Sequence, residues 1–104
     1  MNLFHTPLSA VSYEDVLAFC ATFTEGVRVE YKREPAHIPK VVSSFANTMG
    51  GVWVVGVDAE KRTNRAVLPP HGIDSAGLEE QIVQAAQTGI YPSITPSVRV
   101  FPVP

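Results

Sequence analysis

The chain has a single cysteine in 104 residues, so no internal disulfide can form. Cys20 falls at an apolar position of a helical pattern, with no charged or capping group to lower its pKa. It reads as a small buried hydrophobe, not a reactive thiol. His5, His37 and His71 are scattered, and with one cysteine they do not make a structural zinc site. No apolar run reaches the ~18 residues that a membrane-spanning helix needs. Residues 1–9 lack a basic segment followed by an apolar one. No secretory signal is read there, no membrane partner is expected, and the expected compartment is the cytoplasm. No Gly-Lys-Ser/Thr follows Gly50, Gly51 or Gly56, which excludes a P-loop nucleotide site. Neither a Gly-x-Ser-x-Gly elbow nor a His-x-x-x-His pair is present.

What is present suffices for one core. Hydrophobic residues make up 45% and charged residues 17%, which excludes a wholly disordered chain. The length argues for a single domain over residues 1–104. The net charge of −2 conceals an asymmetry. Residues 28–65 hold seven of the eight basic groups (Arg28, Lys32, Arg33, Lys40, Lys61, Arg62 and Arg65) against four acids, a local charge of +3. The first 27 residues carry −3 and residues 66–104 carry −2. A basic middle between acidic ends can form an electrostatic footprint for phosphates, although charge alone fits an ordinary mixed surface more simply.

Periodicity supplies the elements. Ser12 is a good N-cap, with Glu14 and Asp15 in the first turn, and Val16, Leu17, Cys20 and Phe23 recur at helical spacing. This predicts a helix from about Tyr13 to Thr24, stopped by Gly26. Val27 to Lys32 alternates as a strand, with Arg28, Glu30 and Lys32 on one face. Ile38, Val41, Val42, Phe45, Ala46 and Met49 give the strongest helical pattern, with Pro39 in the first turn and Gly50 as a left-handed cap. Phe45, Ala46 and Met49 are read as core. Val52 to Val57 is an apolar, β-branched run expected to be a central strand. Arg65 to Leu68 is expected as a return strand. Asp74 or Ser75 should cap a helix burying Leu78, Ile82, Val83 and Ala86 and ending near Gly89, and Val98 to Val103 reads as a last edge strand. The expected fold is a single compact two-layer α+β domain, a mixed sheet packed by about three helices.

Two constellations could carry chemistry. Glu25 closes the first helix, Glu30 lies on the first strand and Asp58 ends the central one. If the strands are neighbours, the three carboxylates can converge and bind Mg²⁺ or Mn²⁺, with Lys32 stabilising charge on a phosphate. The competing reading pairs Glu30 with Arg28 or Lys32 on a solvated strand face. The second constellation is Asn47, Thr48, Gly50 and Gly51. There Asn47 and Thr48 either cap the helix end or point at a ligand, and local capping is the simpler role. Tyr31 and Trp53 could stack on bases, but apolar strands more often bury them.

These residues together resemble a known family. Glu25 followed by Glu30-Tyr31-Lys32-Arg33, then Ser43-Ser44-Phe45-Ala46-Asn47-Thr48-Met49-Gly50-Gly51, then Val54-Val55-Gly56-Val57-Asp58 resembles the Schlafen AlbA-like domain. Gly72-Ile73-Asp74 and the helix after it resemble the family's second half. The likeness runs over roughly residues 13–103. It implies an α/β nucleic-acid-binding domain, found in regulators of transcription. In some Schlafen proteins it implies a Mg- or Mn-dependent endoribonuclease, whose acidic set would fall on Glu25, Glu30 and Asp58.

Three functions therefore compete. The first is a regulatory module that binds DNA or RNA through Lys32, Arg33, Lys40, Lys61, Arg62 and Arg65, with no cofactor. The second is a metal-dependent nuclease using Glu25, Glu30, Asp58 and Lys32. The third is an oligomerisation or protein-interaction domain, compatible with a homo-oligomer and with further domains downstream in a longer protein.

Overall fold

A computed structural model describes residues 2–103 of the chain. The elements are a short 3-10 turn at Leu8–Ala10, α1 (Tyr13–Thr22), β1 (Val29–Lys32), α2 (Ile38–Ala46), β2 (Val52–Val55) and α3 (Leu78–Gly89). The Cα radius of gyration is 13.0 Å, the value expected when a chain of this length packs as one body.

Ser12 opens α1 through a capping box. Its hydroxyl accepts the Asp15 N–H at 3.1 Å, and the Asp15 carboxylate accepts the Ser12 N–H at 2.9 Å. This supplies two orphan donors of the first turn at once. The helix ends two residues earlier than its pattern suggests. Thr22 turns its hydroxyl back to the Ala18 carbonyl at 2.7 Å. Phe23 swings out to an extended conformation, where its ring stacks on Phe19 at 4.7 Å.

β1 and β2 form a parallel two-stranded sheet in the register Val29↔Val52 through Lys32↔Val55. The expected α+β class holds, but the sheet is parallel and has two strands, not a larger mixed set. β1 starts at Val29, not Val27, because Gly26 and Val29 bridge each other across a tight reversal. β2 stops at Val55 because Gly56 takes φ +93°. A Cβ on Gly56 would meet the Gly72 Cα at 3.3 Å, so the two loops approach as only glycine allows. The expected return strand is reduced to one bridge, Ala59↔Ala66. Residues 98–103 lie outside any ladder. β2 is therefore an edge strand, half-buried along its length, and not a central one.

Each face of this small sheet meets its own core. Val29, Tyr31, Val52 and Val54 pack with Phe19 and Cys20 of α1 and with Leu3, Val11 and Val57. Trp53 and Val55, on the opposite face, pack with Ile38 and Val42 of α2 and with Leu78, Ile82 and Ala86 of α3. Helix α3 buries most of the expected stripe. Its N-cap, however, is Gly77 at φ +68°, not Asp74 or Ser75. Asp74 instead accepts the Ala76 N–H at 3.0 Å, building a turn ahead of the helix.

Helix α2 stops at Ala46, so the apolar stripe never reaches Met49, which is 84% exposed. Ala46 is also exposed and Phe45 is only half-buried, so the core expected from these three residues lies further back, at Ile38 and Val42. Gly50, at φ +85°, donates its N–H to the Phe45 carbonyl at 2.9 Å. The Phe45 ring lies across Gly51, where an added Cβ would sit 2.7 Å from Phe45 Cδ1 and 2.8 Å from the Arg28 carbonyl oxygen. The backbone oxygen cannot yield. Gly51→Ala is therefore expected to destabilise the fold by about 1–3 kcal/mol in urea denaturation. Gly26→Ala, with nothing within 4 Å of the new Cβ, should stay within about 0.5 kcal/mol.

Candidate nucleic-acid interface

The last residues of β1 place charge at the carboxyl end of the parallel pair. Alternation puts Glu30 and Lys32 on one face of the strand, in register with Trp53 and Val55. Lys32 Nζ lies 3.4 Å from Glu30 Oε1, and the two side chains are 43% and 25% exposed. The Glu-x-Lys spacing thus yields a partly solvated ion pair, a weak contributor to stability.

Arg33 follows as β1 ends. Its Nε lies 3.3 Å from Asp58 Oδ2, and its Nη2 lies 3.0 Å from His71 Nδ1. A guanidinium has only donors, so the imidazole accepts at Nδ1 and holds its proton at Nε2. Arg33 thereby joins the end of β1 to the segment after β2 and to the loop ahead of α3. The Gly72 N–H donates to the Gly56 carbonyl at 2.8 Å beside this cluster. His71 had no site role in the sequence. Its only signal was its place next to Gly72, at the head of the Gly72-Ile73-Asp74 stretch.

Asp58 also begins a polar hairpin that reaches to Val67. The Val67 N–H donates to the Asp58 carbonyl at 2.8 Å, and the Glu60 N–H donates to the Arg65 carbonyl at 2.8 Å. The Glu60 carboxylate accepts from the Thr63 hydroxyl at 2.6 Å and from the Arg62 N–H at 3.0 Å. Those bonds hold its pKa below the ordinary glutamate value, the Thr63 hydroxyl most strongly. Lys61, Arg62 and Arg65 stand exposed on this hairpin. Its tip is tied to the end of α1, where the Glu25 N–H donates to the Asn64 carbonyl at 2.7 Å. Lys40 is exposed on the first turns of α2, which starts a few residues after β1 ends. Of the six cationic candidates, Lys32 and Arg33 sit at the end of β1, Lys40 on the first turn of α2, and Lys61, Arg62 and Arg65 on the hairpin.

The carboxylates have separate partners. Glu25 Oε2 accepts the Tyr31 N–H at 3.0 Å and so closes the outer edge of β1. Glu30 faces Lys32, and Asp58 faces Arg33. Among the described residues no group of three His, Cys, Asp or Glu side chains is placed to hold a metal ion. Glu25, Glu30 and Asp58 therefore do not come together as a three-carboxylate divalent site. The physical reason is that each acid already has its own donor: the Tyr31 N–H for Glu25, Lys32 for Glu30 and Arg33 for Asp58. Cys20 is buried and its thiol is pushed up to about 11 by that burial, so it stays protonated at neutral pH. Burial likewise raises the Tyr31 hydroxyl, which donates to the Phe23 carbonyl at 2.7 Å.

The Asn47–Gly51 motif works on the backbone. Asn47 closes α2, and the Thr48 hydroxyl donates to the Phe45 carbonyl at 3.0 Å. Arg28 completes the arrangement, a role the sequence did not reveal. Its Nε donates to the Gly50 carbonyl at 3.1 Å and its Nη2 to the Met49 carbonyl at 3.2 Å, with the guanidinium 4.3 Å from the Phe4 ring centroid. Arg28 is therefore engaged by backbone carbonyls, as is Arg99, unlike the six cationic candidates.

The family model described as Schlafen, AlbA_2 matches residues 23–104, and the chain belongs to that family. The matched stretch begins at Phe23, so α1 lies ahead of it. No curated protein and no solved structure matches the chain.

The hairpin yields a pH prediction. A carboxylate whose pKa is lowered by folding adds stability above its unfolded value, and that stability is lost as pH falls through the lowered folded value. For Glu60 the window lies below the ordinary 4.5. Amide shifts of Arg62 and Thr63, followed by NMR from pH 6 downward, should titrate with a midpoint below 4.5. In Glu60→Gln that step should vanish.

Proposed function

We propose that this domain is a regulatory module that binds DNA or RNA by its phosphate backbone, through Lys32, Arg33, Lys40, Lys61, Arg62 and Arg65. Membership of the Schlafen, AlbA_2 family supports nucleic-acid binding at a coarse level. The observation that carries the finer reading is the setting of Arg33. Asp58 and His71 engage its Nε and one Nη2 donor. The remaining N–H groups of the fork stay available at the exposed end of the sheet, already oriented for a phosphate. Preorganisation lowers the entropy lost when a long cationic side chain engages a ligand. The hairpin extends the same sign of charge along the chain with Lys61, Arg62 and Arg65. A phosphate-backbone mode needs no base-edge contacts, and it gives affinity that falls steeply with salt.

Fluorescence anisotropy with labelled tRNA and with a labelled DNA duplex, at several salt concentrations, tests this reading. Binding should weaken log-linearly with salt. Arg33→Ala and Arg62→Ala should each lower affinity on every sequence and reduce the salt slope by roughly one. Arg28→Ala should reduce stability through lost carbonyl contacts while leaving the salt slope unchanged. Absence of binding to either nucleic acid at low salt would sink the proposal.

A further inference from the structure

We infer that His71 is a proton-operated part of the nucleic-acid interface. Once charged, it releases the Arg33 fork and adds a second cation beside it, so the site grips phosphate more tightly as the solution turns mildly acidic. The inference rests on the phosphate-binding reading of Arg33 given above. Arg33 Nη2 lies 3.0 Å from His71 Nδ1, and both residues are exposed. A guanidinium has only donors, so the contact exists only while the imidazole is neutral and Nδ1 accepts. A second ring proton makes Nδ1 a donor and sets two like charges against each other. That hydrogen bond is then lost, and Nη2 is free for another acceptor. Asp58 Oδ2 still holds Arg33 Nε at 3.3 Å, so the fork keeps its orientation. The backbone at His71 is tethered through Gly72, whose N–H donates to the Gly56 carbonyl at 2.8 Å. The imidazolium therefore stays at the same end of the sheet.

Charge balance gives this proton its weight. At the end of β1, Lys32 is matched by Glu30 and Arg33 by Asp58. These four charges cancel, so the net sign there is set by His71: zero while the ring is neutral and positive once it is charged. The charged groups that face His71 are Arg33 from the end of β1 and, behind Arg33, Asp58 from the segment after β2. Glu34, next along from Arg33, and Asp74, on the loop of His71 itself, are exposed and enter no ion pair among the described residues. Histidine is the side chain whose ordinary titration falls between about pH 5 and 8. A phosphodiester keeps its single negative charge throughout that range, so a change in affinity there comes from the protein. Both consequences of protonation, a freed donor and an added positive charge, act in the same direction on a phosphate.

The test is fluorescence anisotropy of the full chain with a labelled DNA duplex, from about pH 8 down to about pH 5.5 at matched ionic strength. Affinity should rise at least about threefold, and the salt slope should steepen by roughly one at the acidic end. The chain has three histidines. The rise should persist in the double variant His5→Gln, His37→Asn, which leaves His71 as the one histidine. Asparagine suits the left-handed backbone at His37, where φ is 55°. The rise should vanish in His71→Gln, whose amide oxygen can still accept from Arg33 but never becomes charged. Linkage gives a reciprocal reading: saturating duplex should move the NMR titration midpoint of the His71 ring to higher pH. In the free protein the Arg33 Nε–H resonance should shift with the same midpoint as that ring. Affinity that is flat or falls toward low pH would overturn the inference and leave phosphate binding in place, as would a pH response that survives in His71→Gln. No binding at any pH would overturn both.

Discussion

The hydrogen bond from the Tyr31 N–H to the Glu25 carboxylate closes the outer edge of a sheet that has two strands among the described residues. A pair of strands is marginal by itself, and each strand has one outer row of backbone groups to satisfy. On β1 the Gly26–Val29 bridge and the Glu25 side chain do this. Tyr31 is then free to bury its ring at 1% exposure and to reach the Phe23 carbonyl with its hydroxyl. The turn after α1, the first core and the anchoring of the hairpin tip at Glu25 all follow from that closure. On β2 the outward backbone groups of Trp53 and Val55 have no backbone partner among the described residues.

The same bond helps explain why Glu25, Glu30 and Asp58 do not come together among the described residues. A half-buried carboxylate that accepts a backbone N–H is already solvated by the protein. Glu30 and Asp58 are likewise matched to Lys32 and Arg33. The net effect is a surface where cations outlast their partners. Arg33, Lys40 and the hairpin residues remain exposed, while Arg28 is consumed by the carbonyls that end α2. Phosphate recognition needs only this much, because counterion release supplies the driving force without base-specific geometry.

Much of the fold was legible from local chemistry. The Ser12 capping box, the Gly50 left-handed turn, the burial of Cys20 and the Leu78–Ile82–Ala86 stripe each depend on residues close in sequence. Element ends were less legible, since periodicity continued through Met49 while Thr48 and Gly50 diverted α2 into a turn. The sheet was least legible. Val98–Val103 has strand composition, but strand formation depends on a partner edge at the right distance, which composition does not encode. For the site, the sequence offered the Glu30–Lys32 pair but not the pairing of Arg33 with Asp58 and His71. Arg33 and His71 lie 38 residues apart and meet beside the Gly56–Gly72 approach.

Amide hydrogen exchange of the wild type and of Glu25→Ala tests most directly that one edge of the sheet is closed by a side chain and the other is open. In the wild type Tyr31 and Gly56 should exchange slowly, and Trp53 and Val55 fast. In Glu25→Ala the Tyr31 amide should accelerate at least tenfold while Gly56, bonded to Lys32, remains slower than Trp53 and Val55. Unchanged Tyr31 exchange in Glu25→Ala, or protection of Trp53 and Val55 equal to that of Gly56 in the free protein, would contradict the account.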